Sequence, residues 1–251
     1  MGILLGTLPL WFLLLLIIAL ASIWGSFVGA LCTRWPNGQS VVKGRSRCDH
    51  CVTPIAAYDL VPIFSFLILR GKCRTCGEPI GPTPFFIEVI AALIAVVPFL
   101  LFPGEQALAA AIFGWLLLPL VILDFQLLWL PTRLVLLLAV SGLVAGPLLS
   151  PDILWQDRMI GAALGFLCLE IIRRAFRWLR GHEGMGAGDP KMFAAIALWL
   201  GWAASPIVLL AASGIGIASM LAIGAARRVH ETQFPFGSYM GVAAYCVALT
   251  A

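Results

Sequence analysis

The chain has 251 residues, of which 61% are hydrophobic and only 11% charged. A soluble domain is about half apolar and about a quarter charged, so this composition excludes an ordinary water-soluble fold and points to lipid as the solvent. The net charge of +4 is divided among loops, with no basic groove interleaved with aromatics, which excludes a nucleic-acid partner.

Crossing the hydrocarbon core takes about 20 mostly apolar residues per helix. Apolar runs near 8–31, 85–102, 107–124, 133–149, 159–179, 191–201, 204–225 and 236–250 predict an all-α polytopic membrane protein with about eight spans. No Lys or Arg precedes Arg34, so the first run lacks the basic flank of a cleavable signal peptide and reads as a span. Pro103-Gly104, Ser150-Pro151 and Ser205-Pro206 mark breaks between helices. The spans and the long first loop predict three parts: residues 1–31, a loop module 32–84, and a membrane domain 85–251.

Positive charge follows the first span, which predicts an N-terminus outside the cell and a cytoplasmic first loop. Threading eight helices from there puts fifteen of the sixteen Lys and Arg on or beside cytoplasmic loops, including Lys43, Arg45, Arg227 and Arg228; Arg158 alone falls outside. The same threading brings Asp124, at the end of the third helix, and Asp189, at the start of the sixth, to one membrane face.

The first loop carries Cys48-Asp-His-Cys51 and Cys73-Arg-Thr-Cys76. Two C-x-x-C pairs complete a tetrahedral four-thiolate site, so structural Zn2+ on Cys48, Cys51, Cys73 and Cys76 is the expectation; a redox dithiol pair is the alternative. His50 is a bystander in that reading. Cys32, Cys168 and Cys246 read as small apolar fillers. Between the pairs, Ile63–Leu69 is too short to span and reads as a strand, as buried core, or as a patch on the membrane surface.

Asp189 lies in Gly184-Met-Gly-Ala-Gly-Asp-Pro-Lys191, directly before an apolar helix. It either caps that helix or does chemistry. Gly186 and Gly188 allow an extended chain to approach closely, which makes them, with Lys191, candidate substrate contacts. Asp124 sits among apolar residues, where an ionisable group is costly and functional by default; the alternative is an Asp paired with Arg133. Two carboxylates at hydrogen-bonding separation share one proton, one activating water while the other polarises a carbonyl. Glu88 either orients the first loop, contacts a substrate amine, or pairs with a loop arginine. Glu170 has Arg173 and Arg174 at helical spacing and predicts a local ion pair. Gly142 and Gly146 suggest close helix packing.

These residues resemble the type IV prepilin peptidases, also called prepilin leader peptidase/N-methyltransferases. The resemblance runs through Gly25-Ser-Phe-Val-Gly29 with Arg34-Trp-Pro36, the two cysteine pairs with Pro62-Ile-Phe-Ser65 and Pro79-Ile80, Glu88, Asp124 with Leu130-Pro131, and Gly186-Ala-Gly-Asp189-Pro-Lys191. It implies an aspartic endopeptidase of the bacterial inner membrane, with Asp124 and Asp189 catalytic. Its substrates are prepilins or pseudopilins of type II secretion, cleaved after a glycine at the cytoplasmic face. It further implies methylation of the new N-terminus from S-adenosyl-L-methionine. Two family acids are replaced here by Gln126 and Thr132, and the entry to the second helix reads Gly81-Pro-Thr-Pro84. A transporter or ion relay using the same aspartates is the alternative function, and a docking protein acting through the cysteine module is a third.

Overall fold

The computed structural model describes residues 9–41, 46–48, 50–226 and 234–250. The basic residues Lys43, Arg45, Arg227 and Arg228, used in the charge argument, lie outside the described residues. The chain forms two compact units, Met1–Leu100 and Leu101–Ala251. All regular elements among the described residues are helical; extended pairing is confined to two isolated bridges, Arg47 with Pro54 and Lys72 with Pro79.

The first unit contains α1 (Leu10–Arg34), a 3-10 turn at Ala57–Leu60, α2 (Phe64–Ile68) and α3 (Thr83–Leu101). Helices α1 and α3 touch backbone to backbone: a Cβ on Gly25 would lie 2.7 Å from the Glu88 Cα. Only glycine permits that approach, which gives the first-helix Gly-Ser-Phe-Val-Gly stretch a packing reason.

The second unit contains α4 (Gly104–Leu127), α5 (Thr132–Leu149), α6 (Trp155–Arg180), α7 (Asp189–Ala226) and α8 (Phe236–Ala248). Helix α7 packs against α5, α6 and α8, and its Trp199, Phe193 and Met192 are fully or almost fully buried. Small residues let the helices close on it. A Cβ on Gly142 would meet the Trp199 ring at 2.7 Å, and one on Gly161 the Trp202 backbone nitrogen at 2.8 Å. Gly142 and Gly146 therefore serve packing within the chain.

Five helices are long and apolar enough to cross a membrane: Trp11–Arg34, Thr83–Leu101, Gly104–Leu127, Thr132–Leu149 and Asp189–Ala222. The eight expected spans differ for three physical reasons. Helix α6 is long, but its last turns carry Glu170, Arg173, Arg174, Arg177 and Arg180. Helix α8 has 13 residues, about 20 Å of rise. The sixth and seventh runs form the single helix α7, interrupted by non-helical Gly201 at φ 74°, ψ 177°. That break falls ahead of Ser205-Pro206, at a glycine whose positive φ side chains rarely adopt and whose Cβ would lie 2.8 Å from Ile153 Cγ2; Ser205 Oγ donates to the Gly201 carbonyl at 3.0 Å.

Arg158, the lone basic residue on the opposite side in the charge threading, is fully buried. Its guanidinium donates to the carbonyls of Gly146 and Ser150, in the last turn of α5, and to those of Leu198 and Trp199, just before the Gly201 break. Carbonyls at a helix C-terminus lack intrahelical partners and carry partial negative charge. One arginine satisfies two such ends at once.

Candidate active site and metal centre

The two cysteine pairs sit in matching turns. Cys48 N–H donates to the Thr53 carbonyl, Val52 N–H to Cys48, and Ile55 N–H to Ser46; the same three bonds recur 25 positions later as Cys73 to Glu78, Gly77 to Cys73 and Ile80 to Gly71. The bridges Arg47–Pro54 and Lys72–Pro79 keep the same register. Each turn needs a left-handed residue, supplied by Gly77 at φ 74° and by Val52 at φ 59°. This internal repeat escaped the sequence reading, although Cys48/Cys73, Cys51/Cys76, Pro54/Pro79 and Ile55/Ile80 carry it as identities at a 25-residue offset.

All four sulfurs lie within 4.8 Å of one another. Cys48–Cys76 and Cys51–Cys73 are 3.8 and 4.0 Å apart. Zinc–sulfur bonds of about 2.3 Å in a tetrahedron require sulfurs about 3.8 Å apart, so the cluster can hold a metal ion of that kind. Hydrogen bonds from the Thr53 side chain and backbone pull the Cys51 thiol down to about 6. Backbone bonds at Cys76 and Thr75 lower Cys73 as well. Cys76 goes the other way: although a backbone bond at Glu78 lowers it, burial and its neighbouring cysteines outweigh that bond and push it up to about 12, so the turns favour the thiolate at Cys51 and Cys73.

Ile63–Leu69 is neither strand nor core. Ile63 takes φ 62°, ψ −56°, and Phe64 N–H donates to the Pro62 carbonyl at 2.6 Å, a γ-turn that is rare for a β-branched residue. Helix α2 follows, with Phe64, Leu67 and Ile68 exposed. Glu88, 7% exposed, accepts the Ile63 N–H at 2.7 Å. Of its three expected roles, orienting the first loop is the one the geometry displays. Nearby, Arg74 grips Asp59 through both carboxylate oxygens, which holds Asp59 below the usual carboxylate range. These groups line a cavity of about 1070 Å³ that also includes Thr33, Tyr58 and Phe85.

In the second unit, Asp124 and Asp189 are both 4% exposed. Helix α4 ends one turn beyond Asp124, where Leu128 turns left-handed at φ 52° and returns its N–H to the Asp124 carbonyl at 2.9 Å. Asp124 Oδ2 accepts the backbone N–H of Ser238 at 2.6 Å and lies 3.0 Å from the Ser238 hydroxyl. It forms no ion pair with Arg133 among the described residues. Asp189 opens α7, yet its Oδ2 accepts the N–H of Gly186 at 3.0 Å, in the preceding loop rather than in its own helix. That places its carboxylate outside an ordinary capping role.

Glycines beside the two aspartate sites pack on one side chain, Leu130. A Cβ on Gly188, next to Asp189, would lie 2.6 Å from Leu130 Cβ. A Cβ on Gly237, next to Ser238, would lie 2.9 Å from Leu130 Cδ1 and 3.0 Å from Asp124 Oδ2. The carboxylates lie within each other's electrostatic reach, but each has its own backbone donor rather than a mutual hydrogen bond. Gly186 and Lys191 are exposed, while Gly188 is half-buried against Leu130. Glu170 pairs with Arg173 at 2.8 Å and Arg174 at 2.6 Å, as its spacing predicts. Cys32 is buried, but Cys168 and Cys246 are exposed and fill no core. Ser238 was missed by the sequence reading; Gly-Ser at the start of an apolar helix is its only local signal.

Two family models match the chain: the bacterial peptidase A24 N-terminal domain over residues 19–102, and the type IV leader peptidase family over residues 111–221. A prepilin leader peptidase/N-methyltransferase of Aeromonas hydrophila is 40% identical over 207 residues, covering 82% of this chain and 71% of the relative. Proteins of the same name are 38% identical in Burkholderia pseudomallei (strain K96243), over 82% of this chain and 67% of the relative, and 32% identical in Dichelobacter nodosus, over 90% and 79%. No solved structure matches. With both segments matched and identity sustained over most of its length, the chain belongs to the type IV leader peptidase family.

Proposed function

We propose that this membrane enzyme cleaves the basic leader from prepilins or type II secretion pseudopilins, using Asp124 and Asp189, and then methylates the new N-terminus. The observation that carries the reading is the nearness of two buried carboxylates from helix ends separated in sequence, with Leu130 packed against the glycines beside them. The pair holds one proton between them. The ionised member takes a proton from water as its oxygen attacks the scissile carbonyl, and the protonated member donates to the carbonyl oxygen. When the tetrahedral carbon collapses, the C–N bond breaks and the leaving amine takes a proton from the dyad. Ser238 and Gly186 N–H groups fix the orientation of the two carboxylates. Exposed Gly186 and Lys191 border the site where an extended leader would lie, with Gly188 beneath.

In this reading the dyad faces the cytoplasm of the bacterial inner membrane, the N-terminus lies outside, and the 159–179 and 236–250 segments, with the two arms of α7 on either side of Gly201 crossing separately, complete eight spans. Residues 1–31 anchor, 32–84 form a zinc-folded module on Cys48, Cys51, Cys73 and Cys76, and 85–251 carry the peptidase. Zinc in a four-thiolate site supplies folding energy and has no open position for substrate. S-adenosylmethionine is the methyl donor, and the names of the relatives support this second activity.

The test is cleavage of a purified prepilin, followed as loss of the leader on a gel. Asp124→Asn and Asp189→Asn should each abolish it; retained cleavage in either variant removes that residue from the mechanism. Mass analysis of the product's N-terminus, with methyl donor supplied, reads the second activity separately.

A further inference from the structure

Helix α2 and the turn before it present an apolar surface that the peptidase mechanism leaves unused. Val61, Phe64, Leu67 and Ile68 are exposed, between 46% and 75%, and exposed Arg70 and Lys72 follow directly. The depth of this segment is set by Glu88. Thr83–Leu101 has 19 residues, a rise of about 28 Å, which just matches a hydrocarbon core of about 30 Å. The helix therefore has no length to spare, and Glu88, five residues in, lies about 7.5 Å along it. Because Glu88 accepts the Ile63 N–H at 2.7 Å, the start of α2 is tied to that depth. Phe66 stacks on Phe85 of the same helix at 4.8 Å, a second tie one turn away.

Non-helical backbone is costly at such depth unless its polar groups are satisfied within the protein. Here they are. The N–H groups of Phe64, Ser65, Leu67, Leu69, Arg70 and Gly71 all reach carbonyls between Val61 and Leu67. Pro62 has no N–H to satisfy, and the buried Glu88 carboxylate takes that of Ile63. On the same helix as Glu88, Phe86, Ile90 and Leu93 are exposed, as the lipid-facing residues of a span are.

We infer that residues 61–69 form an interfacial membrane anchor: Phe64, Leu67 and Ile68 enter the lipid, Arg70 and Lys72 meet phosphate headgroups, and Glu88 sets the depth through Ile63. The occupant of this face is bilayer lipid. The γ-turn at Ile63 then acts as the elbow that lays the chain into the membrane and returns it to water before Cys73. The anchor rests on the membrane-spanning character of α3 and not on the proposed cleavage chemistry.

The experiment places benzoylphenylalanine, a photo-crosslinker that inserts into C–H bonds, at position 68 of the full-length protein in phospholipid liposomes. Position 50, exposed in the first cysteine turn, is the control. Lipid-mass adducts at 68 and none at 50 are expected. Glu88→Leu, which removes the acceptor for Ile63, should lose the adduct at 68, while Glu88→Gln keeps a carbonyl there and should retain it. Equal labelling at both positions, no lipid adduct at 68, or crosslinking at 68 to a second copy or another protein would each overturn the anchor.

Discussion

Neither short helical turn of the cysteine module, Ala57–Leu60 nor α2, buries a single residue. The unit from Leu101 onward, by contrast, encloses Phe113, Leu120, Trp199 and Met240 with no exposure at all. The first region keeps its shape through backbone bonds in two repeated turns, four clustered sulfurs and one borrowed carboxylate. The second keeps its shape by close packing on α7. Order in this protein thus has two sources, of which only the first includes a cluster that can hold a metal ion.

The comparison can be broken at several points. The largest effect belongs to the aspartates: Asp124→Asn or Asp189→Asn is expected to reduce leader cleavage by at least about 10³-fold while thermal unfolding is nearly unchanged, since both keep their backbone partners. An equally large loss of stability would mean that the pair is structural. Next comes metal removal. A strong chelator should abolish hydrogen-exchange protection at Cys48, Ile55, Cys73 and Ile80 and leave α4–α8 protected; simultaneous loss in both units would erase the distinction.

Arg158→Met removes the cation shared by two helix ends and leaves four carbonyls without it. Unfolding of the second unit should become easier by about 3 kcal/mol, with metal content unchanged. In the module, Val52→Gly relieves a left-handed valine at the position where the repeat has Gly77. The metal-bound module should gain about 1 kcal/mol, measured as resistance to chelator. The smallest effect concerns Asp59 and Arg74. Because Arg74 lowers the Asp59 pKa, their contribution is present above the unfolded carboxylate value near 3.8 and fades as pH falls through the lower folded value. Arg74→Gln should therefore weaken the module at neutral pH and make little difference in strong acid.

Features that sequence made legible were local or chemically expensive. The two C-x-x-C pairs announce themselves by spacing, and Asp124 by standing among apolar residues where a charge is costly. Charge bias along the loops put both aspartates on one side, and the glycines beside the two sites, Gly188 and Gly237, pack on the same Leu130. Glu170 and its arginines followed from helical spacing. What stayed hidden depends on partners far along the chain. Nothing near Arg158 says that its guanidinium reaches residues 40 and 41 positions away. Ser205-Pro206 gave the visible signal for a break, yet it falls at Gly201, where Ile153, 48 positions earlier, crowds the site of a Cβ. The apolar run at Ile63–Leu69 could not reveal its own solvent, because helix, strand and patch share the same residues.

Asp124 receives its hydrogen bonds from Ser238, 114 residues later. During synthesis that carboxylate enters the bilayer with α4 while its donor is still unmade, so the candidate dyad stays incomplete until translation has passed α8. A ribosome stalled before that helix would leave an inserted protein with its cysteine module already translated and its first aspartate without its backbone donor. In the proposed reading, cleavage would thus wait on the helix that carries Ser238, and copies lacking it would not cut.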